Sequence, residues 1–502
     1  MVILSDEGRY LEENPTVSLL TPKQIACIRK KGGKVIDMNT GHPRKVSDHE
    51  LRDLDKKLRA MPIDYAPPEG YPDVRETIAR YGNYIVGELE NKDGLKAENV
   101  CVTANGTNAF SAGIQLFVPR GSHGIAMVPC YGPYLDALYA QGATVSFVQS
   151  EPETGFIPTL DDSIKEYEKY ADRTSYFVFL SGNPTGFGLY KDKAQEMAEV
   201  GNYIARKSKG RVFLQFDEVY HQLSLDDDHR IYTYLNPEAR RCSGTVISAS
   251  KILAMTGEVG AMLLPDERLQ RIMARKMKKD RLTSPAVEQR VFAAGLEKIM
   301  SGKWKGEGSL EESAHSYIGE VRFVMDGLKS LAEACGVAPE ILSPYNPNKA
   351  LYAFPRIGSL FIGRKVPDIK IFEDESLREF VFGKSGEDTI RTDAHIEKLI
   401  LAMAGTQYGT GVIGRCGSSF VVNPELGFMR FTCTRTGNEG RREHQEFLGV
   451  IYDAMILLGV RPNKSKEELF GRIMVDKPSN LAIAGKMSPA ITHWEQTLAQ
   501  GF

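Results

Sequence analysis

The sequence predicts an α/β fold whose large domain carries a mostly parallel seven-stranded sheet covered by helices. Three observations carry that expectation. Between about residues 100 and 265, seven short apolar runs recur; amphipathic, helix-length segments separate several of them; and polar, often glycine-bearing stretches follow four of the runs. Strands that are apolar along their whole length are covered on both faces, as they are when helices flank a parallel sheet. Ligands of such sheets bind beyond the carboxyl ends of the strands.

The seven runs are, in order, VCVTA (100–104), GIAMVP (124–129), ATVSFV (143–148), TSYFVFLS (174–181), RVFLQFD (211–217), TVISA (245–249) and VGAMLLP (259–265). KDKAQEMAEVGNYIARKSKG (191–210) exemplifies the intervening helices, its apolar residues recurring at helical spacing. After residue 265 the texture changes. A long helical pattern over 309–335 leads into a smaller α+β region with LYAFP (351–355), a helix near 396–404, strand-like SSFVV (418–422) and FMRFTCTR (428–435), and a helix over 441–459. The expected division is a large domain over 46–308, a small domain from 1–45 and 309–462, an insertion near 359–394, and a polar extension over 463–502.

Composition narrows the function classes. A hydrophobic share of 42% and a charged share of 25% suit a soluble globular chain. A net charge of -2 without basic blocks argues against nucleic acid or an acidic membrane surface as the main partner. The seven cysteines are scattered without a C-x-x-C pair, which suggests reduced thiols in the cytoplasm and neither a disulfide framework nor a zinc site. No apolar run reaches the ~18 residues of a membrane span, and Asp6 and Glu7 interrupt the start before any signal-peptide core develops.

Four strand ends carry polar residues with little packing value. TANGTNAF (103–110) sets Asn105, Gly106 and Thr107 between a strand and a helix, where backbone N–H groups and a hydroxyl can converge on a phosphate; a plain turn explains it equally well. SGNPTG (181–186) carries Asn183 into a turn. RVFLQFDEVYH (211–221) ends a strand on Asp217, with Tyr220 three residues on; Asp217 also suits a helix N-cap, and Asp217, Glu218 and His221 lack the further ligands of a metal site. VISASK (246–251) places Lys251 just past a buried strand, an odd place for an ammonium without a task. A phosphate loop, an amide, a carboxylate with a tyrosine, and a lysine at one sheet edge match an aldehyde cofactor bearing a phosphate, a phenolic oxygen and a pyridine nitrogen.

With MNTGHP (38–43), YAPPEGYPDVRETI (65–78), VPCYGPY (128–134) and FMRF (428–431), these motifs run in an order that resembles the fold-type I pyridoxal-phosphate enzymes of the class I/II aminotransferase family, over roughly residues 16–460. The resemblance implies pyridoxal 5'-phosphate as cofactor, joined to Lys251 as an imine, with Asp217 on the pyridine nitrogen. It implies Asn183 and Tyr220 on the ring oxygen, Tyr131 stacked on the ring, and Asn105, Gly106, Thr107, Ser248 and Ser250 around the phosphate. Arg430 would grip the substrate α-carboxylate, with Gly41 lining the same pocket. Tyr65 would reach the phosphate of a neighbouring subunit's site, which implies a homodimer. The implied reaction moves an amino group from an amino acid to a 2-oxo acid. Relatives that decarboxylate, eliminate or oxidise, and a non-catalytic cofactor-binding regulator, share the same residues.

One departure stands out. The family places an arginine on the phosphate shortly after the lysine, and here Val259 stands in that place, with no arginine before Arg268. Arg268, Arg271 or a partner subunit's arginine is left to fill the gap.

Overall fold

The computed structural model describes residues 25–26, 33–44, 48–86, 94–225, 229–304, 310–366, 375–384 and 388–471. Each of the seven apolar runs forms a strand of one sheet. These are β2 (Val100–Thr103), β3 (His123–Met127), β4 (Thr144–Val148), β5 (Thr174–Leu180), β6 (Phe213–Asp217), β7 (Ser243–Ser248) and β8 (Gly260–Leu263), where β1 is Lys34–Asp37. Their order across the sheet is β2-β8-β7-β6-β5-β3-β4. Only β8 runs against its neighbours, pairing antiparallel with both β2 and β7. The carboxyl ends of β2, β5, β6 and β7 therefore lie on one edge, together with the start of β8.

Register at that edge is tight. Gly260 opposes Thr103 on one side and Ser248 on the other. A Cβ on Gly260 would fall 2.7 Å from the Asn105 carbonyl carbon and 2.8 Å from the Gly106 nitrogen. A glycine here thus lets the helix that starts at Gly106 close onto the sheet.

The chain beyond residue 308 builds around the long helix Leu310–Ala334, the helix Gly437–Leu457, and a three-stranded antiparallel sheet β11-β12-β9. Those strands are β9 (Tyr352–Ala353), β11 (Arg415–Cys416) and β12 (Met429–Thr432); β1 pairs separately with β10 (Thr410–Ile413). Their shared core contains Val324, Leu328, Ile400, Phe431, Phe447 and Ile451. The charged stretch near 359–394 joins this core where it is described, through Phe361, Leu377, Val381 and Ile390. Residues 463–471 do the same: Ser465 caps the short helix Lys466–Phe470, and Phe470 is buried. The remainder of the extension lies outside the described residues, as do Cys27 and Asp226 to Asp228.

SSFVV does not form a strand. Gly417–Phe420 is a 3₁₀ turn closed by Val421 at φ 69°, a left-handed conformation incompatible with a strand. Asp393 holds the turn, accepting from the Ser418 amide at 2.7 Å and its hydroxyl at 3.1 Å. That local bonding outweighs the β propensity of Phe420, Val421 and Val422.

Candidate active site

Lys251, the imine lysine that the resemblance implies, points its ammonium into a cavity of about 300 Å³ at the carboxyl edge of the large sheet. The strand β7 delivers it: Ser248 ends the strand and caps the short helix Ala249–Ile252, accepting from the Ser250 amide at 3.1 Å. Lys251 Nζ donates to the Gly41 carbonyl and lies 5.7 Å from the centre of the Tyr220 ring. The same cavity is bordered by Gly41, Asn105, Gly106, Thr107, Tyr131, Asn183, Asp217, Tyr220, Ser248, Ser250 and Arg430. Of the site residues expected from sequence, only Tyr65 stands apart, 82% exposed.

Asp217 terminates β6. Its carboxylate accepts from the Tyr134 hydroxyl at 3.1 Å and from the Val219 amide at 3.3 Å. Burial raises its pKa from 3.8 to about 6, and those two hydrogen bonds only partly offset the shift. A cation brought against this carboxylate would lower the pKa again, which is what a protonated ring nitrogen does. Beside it, the Tyr220 hydroxyl meets the Tyr352 hydroxyl at 2.6 Å, and burial holds the Tyr220 phenol well above its usual range.

Arg430, on β12, reaches across from the smaller sheet. It donates to Asn183 Oδ1 at 2.9 Å and to the Asn39 carbonyl at 2.8 Å, between the rings of Tyr352 and Phe420. Its Nε is buried without a partner. A guanidinium held at both ends with a donor to spare is arranged for a carboxylate.

The same cavity also offers donors for an anion. Gly106 and Thr107 open the twelve-residue helix Gly106–Phe117, where no helical carbonyl can reach their N–H groups, while the Asn105 side chain caps Asn108 at 2.8 Å. Ser250 Oγ accepts from the Gly257 amide at 3.1 Å, leaving its own proton free to donate outward. The Ser248 hydroxyl is committed inward, lying 2.9 Å from both the Val259 carbonyl and Ser250 Oγ. Neither Arg268 nor Arg271 borders this cavity: Arg268 lines a separate hollow beside Arg211 and Glu238, and Arg271 pairs with Glu267 on the surface. Val259 is fully buried with Ile247, Ala261 and Phe292. The donors therefore fit a phosphate in kind and place, and lack one cation among the described residues.

Sequence reasoning passed over two residues. Tyr134 lay inside VPCYGPY and Tyr352 inside LYAFP, and neither was singled out for a role. His221, weighed as a metal ligand, is occupied otherwise: burial lowers its pKa to about 3, and its ring joins the Tyr81 hydroxyl and the Glu218 carbonyl.

Gly41 offers a direct check on this geometry. A Cβ there would fall 2.3 Å from the Tyr352 hydroxyl. Gly41→Ala is expected to displace that hydroxyl from Tyr220 and lower ligand affinity by about 5–150-fold, the factor to which the roughly 1–3 kcal/mol of such overpacking corresponds. Titration of cofactor and substrate analogues against both proteins measures it; equal affinities would show that the contact is unimportant.

The chain is similar to several curated proteins. The chain is 26% identical over 253 residues to a probable aspartate/prephenate aminotransferase of Thermus aquaticus, which covers 50% of this chain and 61% of that protein. It is 25% identical over 202 residues to the methionine aminotransferase of Escherichia coli, covering 40% and 49%. The chain thus spans about three fifths or less of the length of these relatives. Among solved structures, an aspartate aminotransferase of Thermus thermophilus superposes with a TM-score of 0.67 at 20% identity, over 90% of this chain and all of that one. A putative kynurenine aminotransferase of Saccharomyces cerevisiae gives 0.69 at 18%, over 91% and all of its chain. At such identities the structures show the shared fold. The model of the aminotransferase class I and II family matches residues 34–400, and by that match this chain belongs to the class I and II aminotransferases.

Proposed function

We propose that the chain is a pyridoxal-phosphate-dependent aminotransferase that moves an amino group from an amino acid to a 2-oxo acid. One observation carries the reading: a lysine, a buried carboxylate and a half-satisfied arginine converge on a single cavity that phosphate donors also line. When bound, the cofactor supplies an electron sink that lets the substrate Cα–H bond be broken.

The protein's own residues do the rest. Lys251 would hold the cofactor through its aldehyde carbon and, once released, carry the proton at the substrate Cα. Asp217, ionised against the ring nitrogen, keeps that nitrogen charged. Tyr220 and Asn183 would supply polar contacts to the ring oxygen, and Tyr131 would cover the ring. Arg430 would orient the α-carboxylate so that the Cα–H bond faces Lys251. Asn105, Gly106, Thr107, Ser248 and Ser250 make up the phosphate end, the serine at 248 acting through the position of Ser250.

A homodimer in the cytoplasm belongs to the same proposal. Met61, Ile63 and Tyr65 are exposed together in one segment, at 55%, 55% and 82%. A second copy covering them would bring Tyr65 to its neighbour's site. The division into a large domain over 46–308 and a small one from 1–45 and 309–462 is retained as part of this reading. Purified protein, titrated with pyridoxal phosphate and then offered amino acids with and without 2-oxo acids, tests the function. Cofactor binding followed by exchange of the amino group is the expected result; release of carbon dioxide or ammonia instead would overturn it.

The missing phosphate cation leads to a further expectation. A charge-assisted hydrogen bond is about twice as strong as a neutral one. Retention of the cofactor on dialysis should therefore be weak. Val259→Arg should not restore it, because residue 259 faces the core. Burying an unpaired charge there should destabilise the chain by several kcal/mol. Dissociation constants and melting curves of the two proteins decide it; tighter cofactor binding in a stably folded variant would show that the side chain can reach the phosphate.

A further inference from the structure

Tyr220 and Tyr352 approach the cavity from different sheets. Tyr220 follows the end of β6 and Tyr352 lies on β9, yet both are buried and both border the cavity. Their hydroxyl oxygens stand 2.6 Å apart, and neither makes another hydrogen bond among the described residues.

The surrounding backbone fixes this contact. A Cβ on Gly186 would fall 2.2 Å from the Tyr352 carbonyl oxygen, and one on Gly41 2.3 Å from its hydroxyl, so glycine at both positions lets the chain close around the tyrosine. Ala350, two residues earlier, takes φ 62°, a left-handed conformation unfavourable for alanine. Its amide donates to the Leu223 carbonyl at 2.5 Å, three residues past Tyr220. Strain of this kind persists only where the surroundings over-determine it, and it clusters at functional sites.

Two hydroxyls carry two protons, and the bond between them uses one. Burial holds the Tyr220 phenol well above its usual range, so it keeps its proton near neutrality. A negatively charged ring oxygen in the cavity accepts more strongly than a phenol does. With such an acceptor present, Tyr220 turns its proton outward and its oxygen is left to accept from Tyr352. Consecutive hydrogen bonds polarise one another, so the inner bond strengthens the outer one. Asp217, Lys251 and Arg430 are the charges that face these phenols.

We infer that Tyr352 is a positioning residue: it donates to the Tyr220 oxygen, aims the Tyr220 proton into the cavity, and strengthens its bond to the ring oxygen of the cofactor. The inference rests on the aminotransferase reading, which sets that oxygen beside Tyr220. The tyrosine pair itself rests on the contact between the two sheets.

The test follows the absorbance of bound pyridoxal phosphate against pH in the wild type, Tyr352→Phe, Tyr220→Phe and the double variant. Phenylalanine keeps both rings, and melting curves establish that the variants are folded. Donation to the ring oxygen favours the deprotonated form of the Lys251 imine, in which that oxygen is most negative. Losing it should therefore raise the pH of the absorbance change, by about 1–2 units in Tyr220→Phe and about 0.3–1 unit in Tyr352→Phe. The double variant should match Tyr220→Phe, because Tyr352 acts through Tyr220. Gly41→Ala, which displaces the Tyr352 hydroxyl without removing it, should shift the pH in the same direction, and it reads the contact where Tyr352→Phe does not fold. A shift in Tyr220→Phe with none in Tyr352→Phe overturns the inference alone. A Tyr352→Phe shift of equal size with and without Tyr220 also overturns it, since Tyr352 would then act on the cofactor directly. No shift in either variant removes Tyr220 from the ring oxygen, and the inference with it. A wild type that binds no pyridoxal phosphate defeats the aminotransferase reading first, and the inference falls as its consequence.

Discussion

Lys251→Ala is expected to abolish cofactor attachment and reduce turnover on the order of 10⁴-fold or more, because one side chain would both hold the cofactor and carry the proton. The fold should survive. Lys251 Nζ gives up a single hydrogen bond, to the Gly41 carbonyl, and its backbone lies in a short helix whose cap belongs to Ser248. Alanine is the best helix former, so local structure loses nothing. Two measurements separate chemistry from folding. Borohydride reduction followed by peptide mapping should label wild-type residue 251 and leave the variant unlabelled, while the melting curve of the cofactor-free variant should match or exceed that of the wild type. Added primary amines should restore part of the activity, since the proton carrier is then supplied from solution. A variant that retains both label and turnover would place the chemistry on another lysine.

That lysine was legible because of where a buried strand stops. Val246 and Ile247 demand burial, Ser248 and Ser250 favour a cap, and the next side chain has nowhere to go but the sheet edge. The seven strands were legible for the same reason: covered on both faces, they are apolar throughout. Half-buried elements gave weaker signals. Phe420, Val421 and Val422 read as a strand because their β propensity is local, whereas the bonds from Ser418 to Asp393 that bend them come from 25 residues away. Tyr352 sits in a run that looks like plain core, and its role beside Tyr220 and Arg430 exists only once two sheets face each other. In the charged stretch near 359–394 the burial pattern is masked by composition: its apolar residues, among them Phe361, Leu377, Val381 and Ile390, lie in the core where they are described.

Asp217→Asn separates what this carboxylate costs the fold from what it gives the reaction. An unfolded aspartate titrates near 3.8, and burial moves Asp217 to about 6. Between those values the folded chain binds more protons than the unfolded one, so the contribution of Asp217 to stability is greatest at acid pH and declines as pH rises through about 6. The shift of roughly two units corresponds to about 3 kcal/mol of penalty above that range. Asparagine has the same shape and no charge, and it can still accept from Val219 and meet the Tyr134 hydroxyl. Without cofactor, Asp217→Asn should therefore be more stable than the wild type at pH 8, by up to about 3 kcal/mol, with the advantage gone near pH 4. Turnover should move the opposite way, falling on the order of 10²–10³-fold, because no fixed negative charge remains to hold a cationic ring nitrogen. Bound cofactor should also stabilise the variant less than the wild type, for the same reason. Denaturant unfolding at the two pH values, with and without pyridoxal phosphate, reads all three effects. Unchanged turnover in a folded variant would remove Asp217 from the mechanism, and lower stability of the variant at pH 8 would show that its hydrogen bonds outweigh its buried charge.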